Sequence, residues 1–517
     1  MKNLIKKKYY KFSYLILLGI FSAFSLPPYN YYIINFITFT LFFIFILRER
    51  ETRKNNLFLF KCGWFFGFGY FLSSLYWIFI PLTFDEKFKF LIPMAIIIIP
   101  SFLAIFYGLV TYFFSIFYSQ KVTISFLIFS ILFGIIEMLR SFVLTGFPWN
   151  LISFSFSENL YIIQIISIIG TYSFNLICIS IFASPALLVL KKSQQEIILF
   201  IFFILTFISI IVFGNLKNNY FDSLLKIENN YKIRIVSPNI ALDRFYSVNN
   251  EAKIINELIF LSQPDSKENT IFIWPEGVIT DTYLNNIKKY ENLFVNNFSE
   301  NHIIILGVNS LKIKNKDNLY FNSLGVFDNR LNLIDSYDKI KLVPFGEFLP
   351  FEKTLNKLGL QVITNNYGSF TKGKIRKSID IKSNDFKFKI LPLICYEIIY
   401  SGKLFKAQKF DYIINISEDG WFGKSIGRDQ HFAHSIFRSI ESGKYVLRSA
   451  NNGISAIINP LGKVEKSIKL ETRGYIDFIE AKTVKETIFS KYGNKIFIFL
   501  ILLYIFLIFS FNKIKNE

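Results

Sequence analysis

The stretch "LPLICYEIIY" (residues 391–400) places a cysteine and a glutamate at the end of an apolar run. The run before Cys395 has the aliphatic, partly β-branched composition of a buried strand, so it predicts a sheet in this half of the chain. The chain has only three cysteines, and Cys62 and Cys178 lie inside apolar segments far from this one. Three scattered cysteines without a CxxC pair do not form a disulfide framework, and Cys395 is therefore predicted to be a free thiol at a strand end.

Apolar residues are concentrated in one part of the sequence. The chain has 517 residues, of which 52% are hydrophobic and 63 are phenylalanine, and this share exceeds the usual apolar content of soluble domains. The excess lies in residues 1–214 and 496–511, whereas 218–490 has the composition of a soluble domain. We therefore predict three segments: a membrane domain with seven transmembrane helices (1–217), an extracytoplasmic soluble domain (218–490), and a C-terminal transmembrane helix with a cytoplasmic tail (491–517).

A helix needs about 17–25 mostly apolar residues to cross a bilayer, and the sequence contains eight apolar stretches near or within this length. The first also resembles a cleaved signal peptide, because a basic start precedes its apolar run. A retained helix is preferred, because a second apolar stretch follows almost at once. The predicted spans lie near 9–26, 30–47, 57–80, 91–117, 123–140, 161–190, 196–214 and 496–511.

Basic residues between the predicted spans are distributed unevenly. Five lysines precede residue 12 and four basic residues lie within 48–54, whereas the opposite side carries only Lys87, Lys89 and Arg140. This asymmetry is the positive-inside pattern, which predicts cytoplasmic termini and an extracytoplasmic 218–490 domain. The formal net charge of +20 is attributed to the basic loops rather than to nucleic-acid binding, because the sequence contains no run of five or six basic residues.

From residue 232 the sequence alternates short β-rich runs with amphipathic helices, which predicts a layered α/β domain. Polar residues follow several of the strand-like runs. Glu276 follows "IFIWP", Cys395 follows "ILPLI", and Glu418 and Asp419 follow "YIINIS". Ligands of open α/β sheets bind at the carboxyl ends of the strands, so Glu276 and Cys395 are predicted to share one site.

A cysteine nucleophile needs a group that accepts its proton and groups that stabilise negative charge on the substrate. Histidine is the usual base, but the chain contains only His302, His431 and His434. His302 begins a predicted strand, whereas His431 and His434 are interpreted as surface or partly buried residues of a helix. Their spacing also resembles a pair of metal ligands, but no third ligand stands out, and no metal is predicted. Carboxylates and lysines are left as candidates for proton transfer and charge stabilisation.

Four motifs occur in an order that resembles a known superfamily. They are "WPEG" (274–277), "YDKIKLVPFGEFLP" (337–350), "CYE" (395–397) and "NISEDGWFG" (415–423). Together they resemble the motifs that carry the Glu–Lys–Cys triad of the nitrilase superfamily. With the predicted spans and "TGFPWN" (145–150), the whole chain resembles the apolipoprotein N-acyltransferase family. The resemblance implies a membrane α-helical bundle of about eight spans plus an α/β nitrilase-like domain, an αββα sandwich, at 218–490.

The resemblance also implies roles for individual residues. Cys395 is the expected nucleophile and Glu276 the expected general base. The ammonium of Lys339 is expected to lower the pKa of the thiol and, with the backbone N–H of Tyr396, to donate to the oxyanion. The predicted supporting residues are Glu347, Tyr396 and Glu397, and the predicted substrate contacts are Arg140, Trp149 and Trp421.

Several of these residues have simpler interpretations. Arg140 lies three residues after Glu137 near a membrane end, so the two are expected to form an ion pair. Trp149 is of a type that commonly anchors a helix end at the membrane boundary, and Trp421 can equally belong to the core. Glu418 stands where the family more often has Asn or Asp, and Lys444 stands where it more often has Arg. Both departures bear on substrate contacts rather than on the triad.

The implied reaction is a two-step acyl transfer. Cys395 would take an acyl chain from a membrane phospholipid, with phosphatidylethanolamine the implied donor, and pass it to the N-terminal amine of diacylglyceryl-cysteine in an apolipoprotein. The expected protein is a monomer of the bacterial cytoplasmic (inner) membrane with its catalytic domain on the periplasmic side, and neither a metal, an organic cofactor nor nucleic acid is expected.

Two other functions are weighed against this one. Water as the acceptor would make the protein a membrane-bound amidase or esterase, an alternative that the eight-span half disfavours. A transporter or scaffold with a decayed catalytic domain is disfavoured by the intact triad and by the scarcity of charge inside the spans.

Overall fold

The computed structural model of the protein describes residues 2–246, 250–314, 317–350, 352, 369–383, 386–402, 404 and 409–513. The chain divides into two compact units, a membrane unit of Met1–Asn219 with Thr487–Glu517 and a catalytic unit of Tyr220–Glu486. This division falls close to the boundaries proposed from composition. The last residues of the predicted cytoplasmic tail, 514–517, lie outside the described residues.

Ten helices in the described part of the chain are twelve residues or longer. In chain order they are α1 (Lys2–Ala23), α2 (Ile33–Thr52), α3 (Asn56–Ser74), α4 (Ile92–Phe117), α5 (Val122–Arg140), α6 (Ile166–Ala183), α7 (Gln194–Ser223), α8 (Glu251–Ser262), α9 (Gly427–Ser442) and α10 (Lys495–Lys513). Shorter helical segments are Tyr76–Thr83, Glu86–Leu91, Ile152–Phe156, Leu160–Ile163, Pro185–Val189, Leu242–Phe245, Leu284–Tyr290, Glu291–Val295, Cys395–Ile399, Asp419–Phe422 and Ile488–Tyr492.

Among the described residues of the membrane unit, six helical stretches are long and apolar enough to cross a bilayer. They are Asn56–Ser74, Glu86–Phe117, Val122–Arg140, Ile166–Val189, Gln194–Ser223 and Lys495–Lys513. The predicted spans 9–26 and 30–47 correspond to α1 and α2. The apolar parts of these two helices are shorter than those of the six stretches above, because α1 is apolar only from Tyr10 and α2 ends in charged residues. A membrane helical bundle is therefore confirmed, and its total of eight spans stays a prediction.

The interior of the membrane unit is built largely from aromatic side chains. Phe39, Phe42, Phe66 and Phe133 are buried, and the rings of Phe42 and Phe66 stack with centroids 4.0 Å apart. Small residues let the helices approach closely, since a Cβ at Gly69 of α3 would lie 2.2 Å from the carbonyl oxygen of Ile16 in α1. The phenylalanine-rich composition is therefore used for packing between helices as well as for contact with lipid.

A buried ion pair lies in the last turns of α5, and its arginine also ties the helix to the "TGFPWN" turn. Arg140 donates to the carboxylate of Glu137 and to the carbonyl oxygen of Phe147, and both charged side chains are fully buried. The predicted pair is thereby confirmed. Trp149 is buried as well, and its ring packs 5.1 Å from that of Trp77. Contact of Arg140 or Trp149 with substrate stays a prediction.

In the part of the catalytic unit that the structure describes, the strands form two six-stranded sheets, ordered β12-β1-β2-β3-β4-β5 and β11-β10-β9-β8-β7-β6. The central strands β1 to β3 of the first sheet and β7 to β9 of the second are parallel, and the outer pairings are antiparallel. The strands are β1 (Ile227–Ser237), β2 (Thr270–Ile273), β3 (His302–Lys314), β4 (Asp317–Phe327), β5 (Leu333–Asp338), β6 (Ile379–Lys382), β7 (Lys387–Ile394), β8 (Tyr412–Glu418), β9 (Tyr445–Asn451), β10 (Ser455–Ile458), β11 (Val464–Ile468) and β12 (Gly474–Ala481).

The two sheets pack face to face and carry helices on their outer faces. The hydroxyl of Ser449 on β9 donates to the carbonyl oxygen of Val236 on β1 at 2.7 Å, directly between the sheets. Apolar residues of α8, including Ile255 and Leu258, belong to the core cluster that covers Phe272 of the first sheet, and α9 packs against β9 and β10 of the second. The predicted αββα sandwich is confirmed.

Candidate active site

Cys395 lies where β7 turns into a short helical segment. Its backbone has φ +46°, in the left-handed region that residues other than glycine rarely adopt. β7 pairs with β8 in parallel, with Ile394 opposite Ile416, so Cys395 leaves the sheet beside Ser417, the next residue of β8. A strained φ persists only where the surroundings hold it, and such residues occur often at active sites. The turn presents the thiol at the carboxyl edge of the sheet, the position predicted from sequence.

Two carboxylates and one ammonium meet beside this turn. Lys339, directly after β5, places its Nζ 3.1 Å from Oε1 of Glu276 and 2.9 Å from Oε1 of Glu347. Asn322 of β4 donates from Nδ2 to the same two oxygens, at 2.7 Å each. All four side chains are buried. Lys339 and Asn322 together let two buried carboxylates approach each other without unpaired charge.

The charges of this cluster act directly on Cys395. The Cys395 thiol interacts electrostatically with both Glu276 and Lys339. Burial alone lowers the pKa of Lys339, but the carboxylates of Glu276 and Glu347 raise it by more than burial lowers it. The amine is therefore charged. The structure thus brings Glu276, Lys339 and Cys395 together, as sequence reasoning anticipated, with Glu347 in contact with the lysine. Their catalytic roles stay predictions.

Lys339 lowers the pKa of the Cys395 thiol, as expected, but the net shift in the resting site is upward. Burial raises the pKa of Cys395 well above its usual range, and the carboxylate of Glu276 raises it further, whereas Lys339 only partly opposes both effects. The free-energy cost of burying a thiolate is larger than its attraction to the ammonium of Lys339, because that ammonium is already paired with two carboxylates. The thiol is therefore protonated at neutral pH and needs a base when it reacts.

The pH dependence of alkylation tests this protonation state. A thiol with the ordinary pKa of about 8.5 reaches its full alkylation rate roughly one pH unit above that value. Because the pKa of Cys395 is raised, its thiolate forms at higher pH, and the iodoacetamide rate is expected still to be rising at about pH 10. Peptide-level mass spectrometry separates Cys395 from Cys62 and Cys178. A rate that levels off near neutral pH would show a resting thiolate.

Glu397 connects the Cys395 turn to the segment that carries Lys339. Its carboxylate is fully buried and accepts hydrogen bonds from the hydroxyl of Tyr337 at 2.8 Å, the amide of Ile340 at 3.0 Å and Arg376 at 2.8 Å. The carboxylate therefore serves as an anchor between the two segments rather than as a group that faces substrate. Tyr396, the other predicted supporting residue here, is buried.

Glu418 positions the predicted base through its backbone. Its amide donates to Oε2 of Glu276 at 3.0 Å, which leaves the carboxylate of Glu276 held at both oxygens. The side chain of Glu418 is buried against the guanidinium of Arg244 and accepts from Asn451 at 2.8 Å. The residue that departs from the family pattern is thus an internal ion-pair partner, and Arg244 and Asn322 are site residues that sequence reasoning missed.

The interpretation of His431 and His434 as surface or partly buried residues is wrong, because both are fully buried in α9. Within the described residues, no group of three His, Cys, Asp or Glu side chains is arranged to hold a metal ion. Trp421, a predicted substrate contact, is partly exposed, and its ring packs 5.1 Å from that of Phe245. Contact of Trp421 with substrate stays a prediction.

Both halves of the chain match protein families. Residues 18–184 match the apolipoprotein N-acyltransferase N-terminal domain, and residues 260–482 match carbon-nitrogen hydrolase. The apolipoprotein N-acyltransferase of Brucella melitensis is 31% identical over 475 residues, which cover 89% of this chain and 87% of the relative. That of Rickettsia bellii is 34% identical over 452 residues, which cover 87% of this chain and 88% of the relative.

Among solved structures, Nit3 of Saccharomyces cerevisiae, a member of branch 10 of the nitrilase superfamily, is 18% identical and aligns with a TM-score of 0.34 over 50% of this chain and 93% of that chain. The full-length relatives are the stronger finding, because they include the membrane unit and the catalytic unit together. With relatives at about 30% identity over nearly its whole length, the chain belongs to the apolipoprotein N-acyltransferase family.

Proposed function

We propose that this protein transfers an acyl chain from a membrane phospholipid, through a thioester on Cys395, to the N-terminal amine of diacylglyceryl-cysteine in apolipoproteins. The observation that carries the proposal is the buried cluster in which Glu276, Lys339 and Cys395 meet. Phosphatidylethanolamine is the proposed donor, and the protein is proposed to act as a monomer. Both lipids stay in the membrane, because each buried CH₂ of an acyl chain favours lipid by about 0.8 kcal/mol.

In the first step Glu276 accepts the thiol proton while Sγ of Cys395 attacks the ester carbonyl of the donor. The carbonyl oxygen becomes an oxyanion, which Lys339 and the N–H of Tyr396 stabilise. One such donor contributes about 2.7–4 kcal/mol to lowering the barrier. The ester C–O bond then breaks, the lysophospholipid oxygen takes the proton from Glu276, and the acyl chain remains on sulfur as a thioester.

In the second step the free α-amine of the diacylglyceryl-cysteine attacks the thioester carbonyl. Glu276 accepts a proton from the amine as the new C–N bond forms, and the same two donors stabilise the second oxyanion. The C–S bond breaks and the thiol is regenerated with the proton from Glu276. The products are the N-acylated lipoprotein and free enzyme, so the cycle needs no net proton or co-reactant.

The topology follows from the same function. The donor and acceptor lipids of this reaction belong to the outer face of the bacterial cytoplasmic membrane, so we propose that the catalytic unit lies on the periplasmic side and both termini in the cytoplasm. The excess of basic residues in the loops on the terminal side supports this orientation.

The proposal is tested with purified protein and a phospholipid that carries an isotope-labelled acyl chain. Mass spectrometry is expected to find the label on Cys395, and addition of a diacylglyceryl-cysteine peptide is expected to move it to the peptide amine. A labelled adduct that yields only free fatty acid would show a hydrolase instead. Absence of any adduct on Cys395, with product formed, would overturn the assignment of the nucleophile.

A further inference from the structure

A second polar cluster, formed by His431, Asp419 and Arg448, also contacts Cys395. His431 of α9 places Nε2 3.3 Å from the carbonyl oxygen of Cys395 and Nδ1 2.9 Å from Oδ1 of Asp419. Arg448 of β9 places Nη2 2.6 Å from the other oxygen of Asp419 and 3.1 Å from Nδ1 of His431. His431, Asp419 and Arg448 are all fully buried, so this cluster is separated from solvent.

The cluster contacts Cys395 at two points. Ser417 is in hydrogen-bond contact with the thiol, and its hydroxyl donates to Oδ1 of Asp419 at 2.7 Å. Asp419 in turn contacts His431, which reaches the carbonyl of Cys395. The side chain and the main chain of the nucleophile are therefore held by one connected set of buried groups. A buried set of this kind is rigid only while every member keeps its partners.

A neutral imidazole at His431 has one proton and two neutral forms. With the proton on Nε2 the ring donates to the carbonyl of Cys395 and accepts from Arg448 at Nδ1; with the proton on Nδ1 it donates to Asp419 instead. The form with the proton on Nε2 is the one that holds the carbonyl of Cys395. Burial lowers the pKa of His431, which favours a neutral ring. Asp419 is held ionised, because burial alone raises its pKa but Arg448 and the hydrogen-bond donors around the carboxylate lower the pKa by more. Ser417 and Arg448 supply the two donors that its carboxylate requires.

The hydrogen bond from His431 matters because of peptide planarity. The peptide between Cys395 and Tyr396 is trans, so its C=O and N–H lie in one plane and point in opposite directions. Fixing the carbonyl of Cys395 on His431 therefore also fixes the direction of the Tyr396 N–H, on the opposite side of the chain. That N–H is the backbone donor to the oxyanion in the proposed mechanism. The φ of +46° at Cys395 is a conformation that needs such restraint.

We propose that His431, supported by Asp419 and Arg448, is a positioning residue that orients the Cys395–Tyr396 peptide and so directs the Tyr396 N–H toward the oxyanion. The inference rests on the proposed function, since it assigns a donor to the thioester chemistry of Cys395. His431 touches neither substrate nor the reacting sulfur. It orients the Tyr396 N–H, one of the two proposed donors to the oxyanion; the other donor is Lys339. The reaction then depends on a buried imidazole that transfers no proton.

Three variants of the full-length protein test the inference. His431→Leu removes the donor to the carbonyl, whereas His431→Gln places an amide N–H near the position of Nε2. His434→Leu is the matched control, because His434 lies one turn further along α9 and is equally buried. For each variant the rate of acyl-adduct formation on Cys395 is measured from a labelled phospholipid, together with kcat, KM and the thermal midpoint.

We expect His431→Leu to lower the rate of adduct formation and kcat by about 10- to 100-fold, the range for a misdirected oxyanion donor, with KM for the phospholipid changed by less than about twofold. His431→Gln is expected to recover most of the rate. His434→Leu is expected to lower the thermal midpoint without lowering the rate per folded molecule.

The outcomes separate this inference from the proposed function. If wild-type protein forms no adduct on Cys395, the proposed function fails and the inference fails with it. If wild-type protein forms the adduct and His431→Leu forms it at the same rate, only the inference is overturned. Equal losses in His431→Gln and His431→Leu, or a loss in His434→Leu as large as in His431→Leu, would also overturn it, because burial rather than the hydrogen bond would then be responsible.

Discussion

Replacement of Cys395 by alanine is expected to abolish both acyl-adduct formation and transfer to the peptide amine, while the protein remains folded. Sγ is the only protein atom in the proposed mechanism that bonds to the acyl carbon, and alanine offers no substitute. The structural loss is small, because alanine is smaller than cysteine and no more strained at φ +46°. The cost of the lost sulfur contacts is about 1 kcal/mol. Labelled-phospholipid mass spectrometry and a thermal unfolding curve measure the two effects.

Cys178→Ala is the matched control for this experiment. Cys178 is also a free and fully buried cysteine, but it lies in α6 of the membrane unit. Its loss is expected to leave adduct formation at the wild-type rate. If Cys395→Ala retained adduct formation, another residue would be the nucleophile and the proposed mechanism would be refuted. If Cys395→Ala did not fold, Cys395→Ser, which keeps a polar atom beside Ser417, would carry the test.

The position of the site was predictable because strand ends leave a simple signal. Glu276 and Cys395 each follow a short apolar run, and the carboxyl ends of parallel strands are where ligands bind. These runs are β2 and β7, which lie in different sheets, so their ends do not share one sheet edge. The site instead joins the two sheets, because the amide of Glu418 on β8 donates to Glu276 at 3.0 Å. The position of Lys339 was expected from resemblance alone, since a lysine after a strand is most often an exposed charge.

The partners that hold the site were not predictable by the same means. Asn322 lies within β4 and Arg244 in a short helical segment, and neither carries a local signal for a partner that is distant in sequence. His431 and His434 were interpreted as surface or partly buried residues of a helix, and both lie in α9. This helix is buried on nearly every face, with its polar side chains bonded internally. Polarity in sequence does not distinguish a solvated helix from one that carries a buried network.

Two further differences have local causes. The pattern of residues 281–298 favours one helix, but the structure has a 3₁₀ segment at Leu284–Tyr290 and a short α-helix at Glu291–Val295. Asparagine recurs through this stretch, and its side chain competes for backbone hydrogen bonds. The second difference is the direction of the pKa shift at Cys395. It depends on how deeply the thiol is buried and on how many carboxylates share the ammonium of Lys339. The spacing of motifs in the sequence shows neither.

Lys339→Met is expected to lower kcat by about 1,000-fold or more and also to destabilise the catalytic unit. Methionine matches the length of lysine but removes the donor to the oxyanion, and one such donor is worth about 100- to 1,000-fold in kcat. It also leaves Glu276 and Glu347, which now share the ammonium, without a cation. Breaking a buried charge cluster by removing one partner costs about 3–5 kcal/mol. Single-turnover kinetics and urea unfolding measure the two losses.

Two further lysine variants separate these effects. Lys339→Arg keeps the charge and is expected to recover much of the stability, yet to remain about 10- to 100-fold slow, because a planar guanidinium cannot replace a compact ammonium between two carboxylates and an oxyanion. Lys312→Met removes an exposed lysine that pairs with Asp338 at 2.6 Å, directly before Lys339 in the chain. An exposed pair contributes at most about 1 kcal/mol, so this variant is expected to keep wild-type kcat. A Lys339→Met protein that unfolds as wild type does, with unchanged kcat, would show that the ammonium neither balances the two carboxylates nor stabilises the oxyanion.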